Sequence, residues 1–95
     1  MNFSFHELAE DELISTVEYY EDCQTGLGLC FFEEIYAMIE PICRFSLAWE
    51  LIDSQTRRCL SNRFPYAVLY RMTENEIRIM AVMNLYRKPG YWKNR

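Results

Sequence analysis

The spacing of apolar residues changes period partway along this 95-residue chain, and that change constrains the fold more than any other feature. In the first half, apolar side chains recur every three or four positions. Ala9, Leu13, Val17 and Tyr20 form one stripe, widened by Leu8 and Ile14; Phe32, Ile35, Tyr36, Ile39 and Cys43 form a second. Such spacing gathers apolar groups on one side of an α-helix. Between the stripes "QTGLG" breaks the pattern, and Gly26 and Gly28 suit a tight turn between antiparallel helices. Pro41 lacks a backbone donor, so the second helix is expected to end or kink near Glu40. After a loop through "FSLAWELIDSQ" the period becomes two. "RRCLSNRF", "PYAVLYRM" and "IRIMAVMN" read as three consecutive strands, with "TENE" as a hairpin loop. At the start, "NFSFHE" alternates Phe3 and Phe5 with polar residues and reads as a short strand. The expected order is β-α-α-β-β-β. This is an α+β fold, with a helical hairpin packed on one face of a small, mainly antiparallel four-stranded sheet. The length makes residues 1–95 one domain.

The hairpin can be taken to its register. If Met72 pairs with Ile77 across the loop, Arg71 lies opposite Arg78. Strict alternation then puts Tyr66, Val68, Tyr70, Met72, Ile77, Ile79, Ala81 and Met83 under the helices. The other face receives Ala67, Leu69, Arg71, Arg78, Met80 and Val82. Facing guanidiniums are unfavourable without an anion nearby, and an apolar patch rimmed by charge often marks an interaction surface. Pairing of these arginines with Glu74 or Glu76 is the competing expectation.

The formal net charge of -4 conceals an asymmetry. Residues 1–53 hold twelve acidic side chains and one basic, while residues 54–95 hold nine basic and two acidic. An acidic face and a basic face follow, either neutralising each other or leaving a basic functional surface. The basic side chains include Arg57 and Arg58 just ahead of the strand pair. Cys23, Cys30, Cys43 and Cys59 form no CxxC pair, and His6 is the single histidine, so no zinc-ligand spacing is present. The apolar neighbours of the cysteines favour reduced, buried thiols. "MNFSFHELAE" has no basic region followed by a long apolar run, and no stretch approaches the ~20 apolar residues of a membrane span. A cytoplasmic protein without membrane, metal or cofactor is the expectation. His6 reads as a local hydrogen-bonding residue, Trp49 as a loop anchor, and Trp92 as packing against the sheet.

Asn62-Arg63-Phe64-Pro65-Tyr66-Ala67-Val68-Leu69-Tyr70-Arg71 and the tail Arg87-Lys88-Pro89-Gly90-Tyr91-Trp92, placed after an acidic helical hairpin, resemble the RelE/ParE superfamily of bacterial toxins. These are the toxic halves of type II toxin–antitoxin modules, and the resemblance spans nearly the whole chain. It implies a cognate antitoxin that covers the basic sheet face, and one of two activities. RelE-like toxins cut messenger RNA on the ribosome, by attack of a ribose 2′-OH on the adjacent phosphate. ParE-like toxins poison DNA gyrase by binding. For the ribonuclease reading the resemblance implies Arg63, Arg71, Arg78 and Arg87 as phosphate clamps and Tyr91 as the proton-transfer group. Where RelE-type enzymes carry a catalytic Arg this chain has Ala67, and where similar chains carry His and Arg it has Asn84 and Tyr86. Those departures favour a gyrase-binding toxin, with Arg57, Arg58, Leu69, Arg71, Arg78, Met80, Val82, Lys88 and Trp92 meeting the target or the antitoxin. A degenerate member that only binds is the remaining reading.

Overall fold

The computed structural model describes residues 1–95, and both helices form where the three-to-four spacing lies. The elements are β1 (Asn2–Phe5), α1 (Glu7–Cys23), α2 (Leu27–Arg44), β2 (Glu50–Leu51), β3 (Thr56–Leu60), β4 (Tyr66–Met72) and β5 (Glu76–Asn84). The strand order is β1-β5-β4-β3-β2. β1 runs parallel to β5, and every other pairing is antiparallel. The sheet therefore has five strands where four were expected. The addition is the two-residue β2, inside the segment read as loop, which pairs Glu50 with Arg58 and Leu51 with Arg57.

α1 opens on His6, whose Nδ1 accepts from the Leu8 N–H at 3.1 Å and supplies the missing partner of a first-turn donor. Gly26 begins α2 at φ 88, a left-handed conformation that glycine adopts without cost. The Glu21 carboxylate accepts from the N–H groups of both Gly26 and Gly28, capping α2 from the end of α1. The helices meet closely at Gly28, where a Cβ would come within 2.5 Å of the Val17 carbonyl oxygen.

Fourteen residues fill the space between helices and sheet, among them Leu13, Phe31, Ile35, Ile39, Ile42, Val68, Tyr70, Ile77 and Ile79. Both helical stripes are rotated from their expected positions. α1 buries Ala9, Leu13 and Thr16 and leaves Leu8 and Ile14 exposed. α2 buries Phe31, Met38 and Ile42 beside Ile35 and Ile39, so Phe32 and Tyr36 turn outward. α2 is apolar on more than one side, and spacing alone could not choose between adjacent stripes. Pro41 lies inside α2, which runs on for three residues to Arg44. The loop after α2 is pinned to the sheet. The Tyr70 hydroxyl donates to the Ser46 carbonyl at 2.6 Å, and Arg57 Nη1 donates to the Trp49 carbonyl at 2.6 Å. Trp49 packs partly buried against the core.

Candidate functional site

The β4–β5 hairpin has the expected register at its loop end, with Met72 opposite Ile77 and Arg71 opposite Arg78. It does not keep that register. Tyr70 pairs with Ile79 and Leu69 with Ala81, so Met80 is an extra residue, a β-bulge. A one-residue slip reverses every side chain beyond it. Val82, expected on the open face, joins the core under the helices, while Ala81 and Met83 move to the other side beside Ala67 and Leu69. Met80 itself is buried.

The face away from the helices is also covered. The tail after β5 folds back over it, and Trp92 packs into a cluster with Ala67, Leu69 and Ala81, flanked by Ile52, Met83 and Tyr91. Leu69 and Trp92 are thus buried by the chain itself rather than displayed. Beyond the covered part lies a polar row across four strands: Ser4, Arg78, Arg71 and Thr56 in register. Arg71 Nε donates to Thr56 Oγ1 at 2.9 Å, and Arg78 Nη1 donates to Ser4 Oγ at 3.0 Å. Ser4 in turn donates to Glu76 Oε1 at 2.9 Å, so Glu76 meets Arg78 only through a hydroxyl. Neither arginine belongs to an ion pair.

Glu12 and Arg95 hold the tail in place. Past the end of β1, the outer edge of β5 has no strand beside it, and Glu12 of α1 fills the gap. Glu12 Oε1 accepts from the Val82 N–H at 3.0 Å. Arg95 Nη1 donates to the same oxygen at 3.0 Å and to the Met80 carbonyl at 2.8 Å, and Nη2 donates to Oε2 at 2.7 Å. The pair is nearly enclosed, with side chains 8% and 14% exposed. Arg87 reaches Glu12 Oε2 at 3.4 Å. Its guanidinium lies 3.6 Å from the centre of the Tyr91 ring, and Arg95 sits 5.0 Å from that centre. Burial pushes the Tyr91 phenol well above its ordinary range, and the charge of Glu12 adds to the shift. Its hydroxyl is buried without a hydrogen-bond partner, as are Trp92 Nε1 and Arg58 Nε. Sequence reasoning missed Glu12, although a signal was there: positions 9, 12, 13 and 16 share one helical face, so Glu12 interrupts an inward stripe.

The remaining sites scatter. Arg57 lies on the helix side and is occupied by loop carbonyls. Arg58 faces the tail and pairs with Glu50 across β2 and β3. Arg63 sits exposed in the β3–β4 loop, 5.6 Å from the Phe64 ring centre. β4, about 17 Å from Tyr66 to Arg71, separates it from the Arg71–Arg78 pair. Lys88 is exposed in the tail. A cleft of ≈ 320 Å³ runs between tail and sheet, bordered by Arg58, Met83, Arg87, Trp92 and Lys93. No group of three His, Cys, Asp or Glu side chains is placed to hold a metal ion. The four cysteines are free thiols; Cys59 is buried, but Cys23 is exposed, contrary to the expectation for it. No helix is long and apolar enough to cross a membrane.

No protein-family model and no curated protein matches the chain. Among solved structures, it is similar to a chain of the chromosomal ParDE TA system from P. aeruginosa. The TM-score is 0.79 at 16% identity, over 90% of this chain and 96% of that one. At that identity the likeness speaks for architecture: two helices on a mixed five-stranded sheet, the RelE/ParE-like fold that the sequence motifs resemble.

Proposed function

We propose that this chain is the toxin of a type II toxin–antitoxin module, that it inhibits growth in the cytoplasm by binding a target such as DNA gyrase, and that a cognate antitoxin neutralises it. The observation that carries the binding reading over ribonuclease chemistry is the state of Tyr91. Its hydroxyl is buried, and the guanidiniums of Arg87 and Arg95, which Glu12 already engages, lie over its ring. A proton-transfer group must come within hydrogen-bond reach of the reacting oxygen, and a hydroxyl enclosed by the chain is not offered to one. Ala67 and Asn84 offer no substitute.

The side chains left for a partner are the Arg71–Arg78 pair and Lys88, exposed in the tail, since Arg58 is already paired with Glu50. Two unpaired guanidiniums side by side suit an acidic surface, whose carboxylates would relieve their repulsion. That chemistry serves both a target and an antitoxin. The test is a gyrase supercoiling assay with purified chain, run beside translation-coupled cleavage of messenger RNA. Supercoiling should be inhibited and the messenger left intact, and Arg71→Ala/Arg78→Ala should weaken inhibition by about tenfold or more. Intact supercoiling at excess chain, with messenger cut, would replace this reading with the ribonuclease one.

A further inference from the structure

A second surface, on the helix side, carries the features of an interface and owes nothing to the toxin reading. β1 is an outer strand, so one of its edges has no strand beside it. Outer strands in natural sheets usually carry a charge, a proline or a bulge that blocks further pairing. β1 reads Asn2-Phe3-Ser4-Phe5 and has none of these. Beside it, toward the C-terminal half of α2, lies a groove of ≈ 650 Å³ bordered by Met1, Phe3, Tyr36, Ile39, Glu40 and Arg44. An aromatic ledge lines the approach. Phe32 stacks on Tyr36 at 4.5 Å, and Tyr36 meets Phe3 edge-on at 6.0 Å. These three rings remain 39%, 38% and 36% exposed, Phe32 and Tyr36 being the outward part of the stripe that the sequence assigned to the core.

We propose that this surface receives a second copy of the chain, β1 pairing antiparallel with β1 about a two-fold axis so that one sheet continues through the dimer. Charge selects the occupant. A basic partner would be drawn to the outer side of α1, with Glu7, Glu10, Asp11 and Glu18 exposed. An acidic partner would be drawn to the opposite face of the sheet, where Arg71 and Arg78 lie. The groove instead carries both signs one helical turn apart, Glu40 and Arg44, both exposed and paired with each other in the single chain. A two-fold interface requires one patch to be complementary to itself, and a patch holding a cation, an anion and an apolar ledge meets that condition. In the dimer this pair is exchanged, Glu40 of one copy reaching Arg44 of the other.

A four-residue strand spans only about 13 Å. The interface is thus small, near ~1,200 Å², and the dimer forms in the micromolar range rather than below it. Sedimentation of the isolated chain from about 1 to 200 µM tests this. The expected result is a monomer–dimer equilibrium with half-association at tens of µM, and slower exchange of the β1 amides at high concentration. Tyr36→Glu, an outward position on α2, should raise the dissociation constant tenfold or more without changing the circular dichroism. Arg44→Glu should weaken association, and adding Glu40→Arg should restore it. A chain that stays monomeric at 200 µM overturns the proposal, as does a dimer indifferent to both Tyr36→Glu and Arg44→Glu. Protection of β1 only when a different chain is bound assigns the edge to that partner and overturns it equally.

Discussion

Beneath the helices, fourteen buried residues make an almost wholly apolar layer, and the polar atoms that enter it, such as the Tyr70 hydroxyl, find acceptors. On the opposite face four residues form the cluster, one of them Trp92 from the tail, and three buried polar atoms at that contact have no partner: Arg58 Nε, Tyr91 Oη and Trp92 Nε1. The first face is closed by hydrophobic burial, which is non-directional and large. The second is closed by a short tail held at its end by one carboxylate. A buried donor without a partner costs roughly 1–3 kcal/mol, which offsets much of what the Trp92 ring contributes by burial. The comparison teaches where stability resides: the fold belongs to the helix side, and the tail side is a cover laid over it.

Substitutions separate the two faces. Ile79→Ala, at a fully buried position in β5, should cost about 4 kcal/mol in urea unfolding, because the tightly packed layer cannot collapse around the cavity. Glu12→Ala should cost about 2 kcal/mol. It leaves the Val82 N–H without its acceptor, while Arg95, outside any helix or strand, can carry its charge out to water instead of staying buried and unpaired. Its signature is local, with trypsin cutting after Arg87 and Lys93 while the helices stay protected. An equally global loss from both variants would erase the distinction.

Alkaline titration gives a smaller effect, shared by both faces because burial raises the Tyr91 phenol under the tail as well. Burial raises the Tyr70 phenol from about 10 to about 12 and the Cys59 thiol from about 9 to about 11. Between those values the unfolded chain releases protons that the folded chain keeps. Stability is therefore complete below pH ~9 and falls as pH rises through the folded values, by at most about 1.4 kcal/mol per pH unit for each group. Cys59→Ala should make the decline above pH ~9 shallower without abolishing it, since burial also raises the Cys43 thiol. The smallest effect belongs to Trp92→Phe. It removes a donor that has no acceptor and keeps most of the ring, so the unfolding midpoint should move by less than about 0.5 kcal/mol in free energy.

The order of elements could be read from the sequence because period and turn residues are local signals. The Arg71–Arg78 juxtaposition was legible for the same reason: a four-residue loop fixes the nearest pairs. What lay beyond Met80 was not. "MAVM" is apolar at every position, so alternation carries no phase there, and one inserted residue exchanged Val82 for Ala81 and Met83. Phe32 and Tyr36 misled for a related reason, since a helix apolar on several sides leaves the choice to its neighbours. β2 escaped because two residues show no period. The Glu12–Arg95 contact joins positions 83 residues apart, and its one trace was a carboxylate on an inward stripe.

Growth arrest on conditional expression of Tyr91→Phe is the most direct test of a toxin that acts by binding. The hydroxyl is buried without a hydrogen-bond partner, so its removal leaves the fold and the basic face as they are. The variant is predicted to arrest growth as the parent does, with messenger RNA intact in both. Loss of arrest in the variant, together with loss of a messenger cleavage that the parent performs, would contradict the account.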